Sequence, residues 1–538
     1  MHYFLLLFLL LGIPVSAQIG AFTTSDSLRG SLNQYRSYDV HHYDLNIRVD
    51  PERKYIEGYN RILFSTEQPL KRIQIDLYQN LSIDSVARDG AKLPYERAGD
   101  AFFVDFPAPL SAGELASVTV YYSGHPTASK RPPWEGGFVW RGDSLGRHWI
   151  GVACQGDGAS LWWPNKDHLT DEPDSMSVSC QVPGDLVCVS NARFAGKTPA
   201  GDETVYRWKI GCPINNYNVS INIGSYAHFS DYYITTGGDI LDLDYYPLDY
   251  NLEKAKEHFK QVKPMLAVFE DLFGPYPFIA DGYKLVETPY WGMEHQSAVA
   301  YGNNYKNNEF GFDFIIIHES GHEYWGNSIT AHDLGQMWIH EAFTTYMEAL
   351  YVEKLQGYDA SLAYLKSQKE RIANKMAIQQ PIGVNFHQWS DADMYYKGTW
   401  MLHTVRNVIG NDSLWFSILR GLHDKFKRSI VTSSDILSFI NERTPENLDA
   451  IFDQYLNYSD PPRLMYKVEK KGNGATFKFK WSAAAKNFDM PLKITLKNGK
   501  PITIRPEKTW TAITLQNASP DDIVLPVESY YFIPTPVP

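Results

Sequence analysis

Two histidines four residues apart, His318 and His322 in "FIIIHESGHEYWGNSIT", carry the first chemical suggestion in this chain. On an α-helix, positions i and i+4 stand one above the other, so both imidazoles can reach one metal ion. Glu319 directly follows the first histidine and is placed to take a proton from a water on that ion. The same spacing also arises on ordinary helices, so the pattern alone names no reaction. Zinc prefers four ligands in a tetrahedron, and two histidines leave it one protein ligand and one water short. Glu341 in "QMWIHEAFTTYMEALYVEK" is the candidate, with 18 residues between it and His322, enough for a turn and a returning helix. His340 is adjacent, but its side chain points about 100° away around the helix, which favours Glu341. Two histidines and one carboxylate make an open site of catalytic type, whereas structural zinc is closed by four ligands. The expected cofactor is one Zn2+ per chain, polarising a carbonyl while Glu319 serves as general base. That is the chemistry of a zinc hydrolase of peptides, with the end of attack left open.

Such residues need elements to hold them. From Tyr38 to about Phe229 the hydrophobic pattern has period two, as in Leu45, Ile47 and Val49, with turn signals such as "RDGAK" and "LSAGE" between runs. This predicts a large antiparallel β domain over 18–245. From Asn251 the period becomes helical, with Leu252, Ala255, Phe259, Val262, Leu266 and Phe269 on one face, and Pro264 predicts a kink. A mainly helical catalytic domain is expected over 246–459, including "TSSDILSFINE" capped by Thr432 and Asp435. "YSDPPR" then breaks the chain, and alternation in "TFKFKW" and "LKITLKNGKPITI" predicts a small β-sandwich over 460–538. The fold class is multidomain α+β.

The 538 residues are 44% hydrophobic and 21% charged, with a net charge of −12 and no basic run, which argues against nucleic acid as a partner. At the start, the apolar stretch Phe4 to Val15 is too short to span a bilayer and fits a signal-peptide core. Val15-Ser16-Ala17 supplies small residues for cleavage, so a signal peptide over 1–17 and a mature start at Gln18 are expected, with export to the periplasm or medium. No later stretch is long enough for a membrane helix, so no span is expected in the mature chain. Cys180 and Cys188 flank "VPGD" and could face each other on a hairpin, as a bridge or as free thiols, and none of the four cysteines has metal-site spacing. Oligomeric state is left open.

The stretches around His318 and Glu341 resemble the zinc aminopeptidase family of aminopeptidase N and leukotriene-A hydrolase. "YWGMEHQS" at 290–297 is similar to that family's Gly-x-Met-Glu-Asn motif, and "YYKG" at 395–398 to its Tyr-x-Lys-Gly. The resemblance implies that Glu294 binds the free amino group of a peptide, with Gly292 and Met293 also lining the substrate. A carboxylate at that place gives a charge-assisted hydrogen bond and lets only the first peptide bond reach the metal. Trp291 stands where the motif has its first glycine, and His295 replaces its asparagine. By the same resemblance Tyr395, protonated at neutral pH, donates to the oxyanion forming on the scissile carbonyl. "ACQGDGASLWWPNKD" is similar to a family segment that would make Gln155 a second contact to the amino terminus. The family's fold implies an N-terminal β domain, a thermolysin-like catalytic domain and a β-sandwich. The large helical C-terminal domain of many members is not expected here. The implied activity is a zinc aminopeptidase acting on peptides with a free N-terminus. A zinc endopeptidase, a lipid-epoxide hydrolase of the leukotriene type and a non-catalytic peptide-binding module are the alternatives.

Overall fold

Along Tyr38–Asp50 every second side chain from Tyr43 onward is buried, with Leu45, Ile47 and Val49 inside, so this strand has one core face and one partly solvated face. In the computed structural model, which describes residues 23–386 and 388–538, this strand sits inside an eight-stranded sheet. The expected signal segment lies outside the described residues. Tyr38–Asp50 pairs antiparallel with Tyr55–Thr66, with a register shift between Val40 and His42. On its other edge it pairs with Ser175–Pro183 in parallel, within a sheet whose other described pairs are antiparallel, as expected. Alternation marks a strand but not its direction, and more than 100 residues lie between these two, ample for a crossover. A four-stranded sheet with His148–Ala153 and Gly137–Gly142 adjoins it. Cys180 and Cys188 lie on strands of different sheets and so form no hairpin, yet their side chains meet across the layers as expected, and all four cysteines are buried free thiols.

The strands Phe229–Ile234 and Ile240–Tyr246, read from sequence with the N-terminal part, belong instead to a mixed sheet with Tyr283–Glu287, Val299–Tyr301 and Gly292–Met293, in that order. Ile240–Tyr246 and Tyr283–Glu287 run parallel because a helical crossover joins them.

The helices are α1 (Thr24–Gly30), α2 (Leu252–His258), α3 (Val262–Phe273), α4 (Phe314–Gly321), α5 (Trp338–Gln356), α6 (Tyr358–Lys369), α7 (Asp393–Ile409), α8 (Asp412–Phe426), α9 (Ser433–Asn441) and α10 (Asp449–Asn457). The break expected at Pro264 falls one turn earlier, as a 3-10 turn at Phe259–Gln261 between α2 and α3. Proline lacks the N–H that would bind the carbonyl four residues back, and its ring crowds that turn. Thr432 and Asp435 form the capping box of α9. Every residue of α5 from Trp338 to Val352 is buried, the pattern of a helix with neighbours on all sides. Beyond Asn457 two sheets face each other, one of four strands centred on Gly474–Ser482 and Arg463–Lys471, the other of three centred on Leu492–Leu496. Tyr531 ties this sandwich to α7, its N–H donating to Thr404 Oγ1 at 2.9 Å.

Candidate active site

Asp313 starts α4: its Oδ1 accepts from the Ile315 N–H at 3.0 Å, while Oδ2 accepts from Tyr301 OH at 2.8 Å and lies 2.7 Å from His258 Nε2. An N-cap carboxylate satisfies backbone donors that a helix leaves unpaired. The cap is therefore also a clamp between α4 and the mixed sheet. One helical turn later His318 projects towards α5, and His322 follows at the C-cap. Gly321 permits the approach of the two helices, since a Cβ there would lie 3.0 Å from Thr344 Cγ2 on α5.

The rings are oriented from behind. His318 Nδ1 lies 2.6 Å from Glu348 Oε1, and His322 Nδ1 lies 2.9 Å from the Trp325 carbonyl oxygen. Both partners accept, so the Nδ1 atoms carry the protons and both Nε2 lone pairs face inward. These Nε2 atoms are 3.2 Å apart, with Glu341 Oε2 at 3.6 Å from His318 and 3.4 Å from His322. Glu341 Oε2 is buried without a hydrogen-bond partner among the described residues. Three acceptors converging with no donor between them repel one another unless a cation sits among them. The donor set, two imidazoles and a carboxylate, fits zinc. His340 is turned away, its Nε2 accepting from the Ala331 N–H at 2.8 Å.

Glu319 faces the same centre from the next position on α4. Burial pushes its carboxyl up to about 7, against the pull of the two imidazoles. Gly292 leaves room for it, because a Cβ at 292 would come within 2.6 Å of Glu319 Oε1. Glu294 follows the strand Gly292–Met293, and ligand atoms of Glu294, Glu319 and His322 all lie within 4.8 Å of one another. The Glu294 Oε1 atom accepts from Gln155 Nε2 at 2.5 Å and from Tyr217 OH at 3.2 Å. Gln155 also donates to Glu341 Oε1 at 3.3 Å, so one amide from the N-terminal β layer bridges both carboxylates. Burial raises the Glu294 carboxyl above its ordinary value. His295 is wholly buried, and burial lowers its imidazole to about 3.

Tyr395 is brought in by α7. Its ring stacks 6.1 Å from His318, and burial, with the carboxylates of Glu341, Glu294 and Glu319, holds its phenol well above the usual range. Tyr396 accepts from Arg371 Nη1 at 3.0 Å, and both stand in the wall of the same cavity. The two residues after them act on packing. Lys397 Nζ donates to the carbonyls of Tyr458 and Ser459, at 2.6 and 2.7 Å, holding the start of "YSDPPR". Gly398 lets α7 press on α5, since a Cβ there would be 2.5 Å from Ala342 Cβ, next to Glu341.

A cavity of about 600 Å3 opens over this centre and is lined by His318, His322, Glu341, Glu319, Glu294, Gln155, Gly292, Met293 and Tyr395. All nine residues singled out from sequence therefore share one cavity. Sequence reading missed Glu348, seven positions after Glu341 and so on the same face of α5, a spacing that could have pointed to it. It also missed Tyr217, whose hydroxyl donates to Glu294, and Trp134 in the cavity wall, for which local sequence carries no signal.

Comparison with known proteins agrees with this layout. Residues 259–455 match the Peptidase family M1 domain. Aminopeptidase B of Mus musculus is 28% identical over 239 residues, covering 40% of this chain and 36% of that protein. Leukotriene A-4 hydrolase of Xenopus laevis is 23% identical over 312 residues, covering 54% and 47%. The match thus spans less than half the length of these relatives. A mutant M1 zinc metallopeptidase from Deinococcus radiodurans, solved with a Tyr-Ser-Ala substrate, superposes with a TM-score of 0.67 at 20% identity over 78% of this chain and 94% of that one, a shared fold. The candidate ligand triad lies inside the segment that matches the Peptidase family M1 domain.

Proposed function

We propose that this protein is a zinc aminopeptidase that hydrolyses the first peptide bond of peptides. The observation that carries the reading is the buried Glu294 carboxylate beside the ligand triad, with Gln155 and Tyr217 steering it. His318, His322 and Glu341 would hold one zinc ion, which when bound supplies Lewis-acid activation of water and of the scissile carbonyl. Glu294 receives the substrate's α-ammonium, and Gln155 adds a contact from the β layer. Because that anchor lies within a few ångströms of Glu319, only the bond after the first residue comes within reach of the base. Glu319 takes the proton of the attacking water and passes it to the leaving amine. Tyr395, kept protonated, donates to the oxyanion on the former carbonyl.

The test is a set of peptides, each paired with its N-acetylated twin. Free peptides should be cut from their first residue with kcat/KM at least about 100-fold above the twins, since an unpaired buried charge costs several kcal/mol. Equal rates would favour the endopeptidase reading. The same fold and metal site suit a lipid-epoxide hydrolase, but an acidic anchor for an ammonium group favours peptides. A non-catalytic peptide-binding module is opposed by the joint presence of Glu319, Glu341 and Tyr395 in one cavity. The reading places the substrate as a peptide with a free N-terminus and involves no nucleic acid.

Export to the periplasm or the medium belongs to the same proposal, on the strength of the apolar stretch Phe4 to Val15 and the small residues before Gln18. Among the described residues no helix is long and apolar enough to cross a membrane. N-terminal sequencing of the protein recovered outside the cytoplasm should begin at Gln18, and an intact Met1 there would refute cleavage.

A further inference from the structure

Trp291 departs from the glycine of the motif it resembles, and it is 44% exposed. Its ring meets Phe314 of α4 at 5.5 Å and Trp134 at 6.0 Å. Trp134, 67% exposed, belongs to the loop between the strands Leu115–Gly124 and Gly137–Gly142 of the N-terminal layer. All three rings line the cavity that holds Glu294 and Glu319. Two neighbouring indoles left in water, beside a cavity with convergent polar groups, mark a surface that a ligand covers.

Strand geometry says which part of a peptide meets this wall. Gly292–Met293 is the edge strand of the mixed sheet. The Gly302 N–H donates to the Trp291 carbonyl at 2.8 Å, and Gly292 stands opposite Tyr301. Alternation along an antiparallel pair then turns the N–H and C=O of Gly292 outward, towards the cavity. An extended peptide can pair with such an edge. Held by its amino group at Glu294, it would run antiparallel to the strand and reach Trp291 downstream. Three positions separate Glu294 from Trp291, about 10 Å at roughly 3.3 Å per residue. The first residue of the peptide lies at the anchor, so the wall stands beside the second or third.

We propose that Trp291, Trp134 and Phe314 form a subsite for a large apolar or aromatic side chain in the leaving half of the peptide, and that they set selectivity after the cleaved bond. This rests on the aminopeptidase reading above. The two tryptophans come from different layers, so the subsite exists only when both layers are in place.

The experiment compares kcat/KM for four amidated tripeptides, Leu-Gly-Gly, Leu-Phe-Gly, Leu-Gly-Phe and Ala-Gly-Gly, in the unsubstituted protein and in Trp291→Ala and Trp134→Ala. The better phenylalanine peptide should exceed Leu-Gly-Gly on the order of tenfold. Each substitution should bring that ratio to about two or less while the Leu to Ala ratio at the first position is kept. Trp134 projects from a loop, so its variant carries the test even should Trp291→Ala fail to fold. A phenylalanine ratio that survives both substitutions, or a change in the first-position ratio in its place, overturns the subsite. Equal cleavage of the glycine and phenylalanine peptides by the unsubstituted protein removes the subsite alone. No cleavage of any of the four removes it together with the aminopeptidase reading.

Discussion

Glu319 and Glu294 are both buried carboxylates close to His322, yet their surroundings divide the work between them. Glu294 is met by two fixed donors, Gln155 and Tyr217, which suits a charge that stays put and receives an ammonium group. Glu319 faces the cavity across Gly292, and burial lifts its carboxyl to about 7, which suits a group that gains and loses a proton. Glu319→Gln keeps the shape and removes the basicity. Metal analysis should still find zinc bound, while kcat falls by about 100- to 10,000-fold. A rate within tenfold of the unsubstituted protein would take Glu319 out of the base role. His318, Glu319 and His322 were legible in sequence because helical periodicity fixes which side chains share a face. The tautomers of the two histidines were not, because Glu348 and the Trp325 carbonyl reach them only through tertiary packing.

At the level of elements, the site depends on how closely α4, α5 and α7 approach one another. Gly321 on α4 and Gly398 on α7 both face α5; a Cβ at 398 would push α7 off Ala342, and one at 321 would crowd the Thr344 side chain. The buried Glu348 carboxylate extends the same contact: besides orienting His318 it accepts from Gln368 Nε2 at 3.2 Å and from Tyr364 OH, both on α6. It thereby ties a candidate metal ligand to a helix that contributes none. Glu348→Gln should lower zinc affinity by about 10- to 100-fold, read by competition with a chelator of known affinity. Unchanged affinity would reduce Glu348 to a packing residue. The helices α4 and α5 were readable from their residue spacing, and α9 from its cap. The sheet membership of Phe229–Ile234 and Ile240–Tyr246 was not, since alternation tells only that one face of a strand is buried.

Across the whole molecule the cavity is shared between layers: Gln155 and Trp134 come from the N-terminal β layer, with Tyr217 behind Glu294, the candidate metal ligands come from the helices, and the sandwich braces α7 through Tyr531. A metal that binds only the folded state stabilises it by mass action, by about 4 kcal/mol when present at 1,000 times its Kd. Chelation should therefore lower the thermal midpoint by about 3 to 4 °C, and restored zinc should raise it again. A midpoint unmoved by verified zinc removal would mean that the triad holds no metal in the folded protein. Sequence alone determined the order of β, helical and β segments and the histidine pair with Glu319 beside it, and it offered Glu341 as the candidate third ligand, because periodicity and short-range spacing are properties of a local backbone. Tertiary structure decided the rest: that Gln155 lies 2.5 Å from Glu294 across 139 positions, that Glu348 stands behind His318, and that Trp134 meets Trp291. Contacts between residues far apart in the chain arise from how whole layers pack, and no local pattern in the chain encodes that distance.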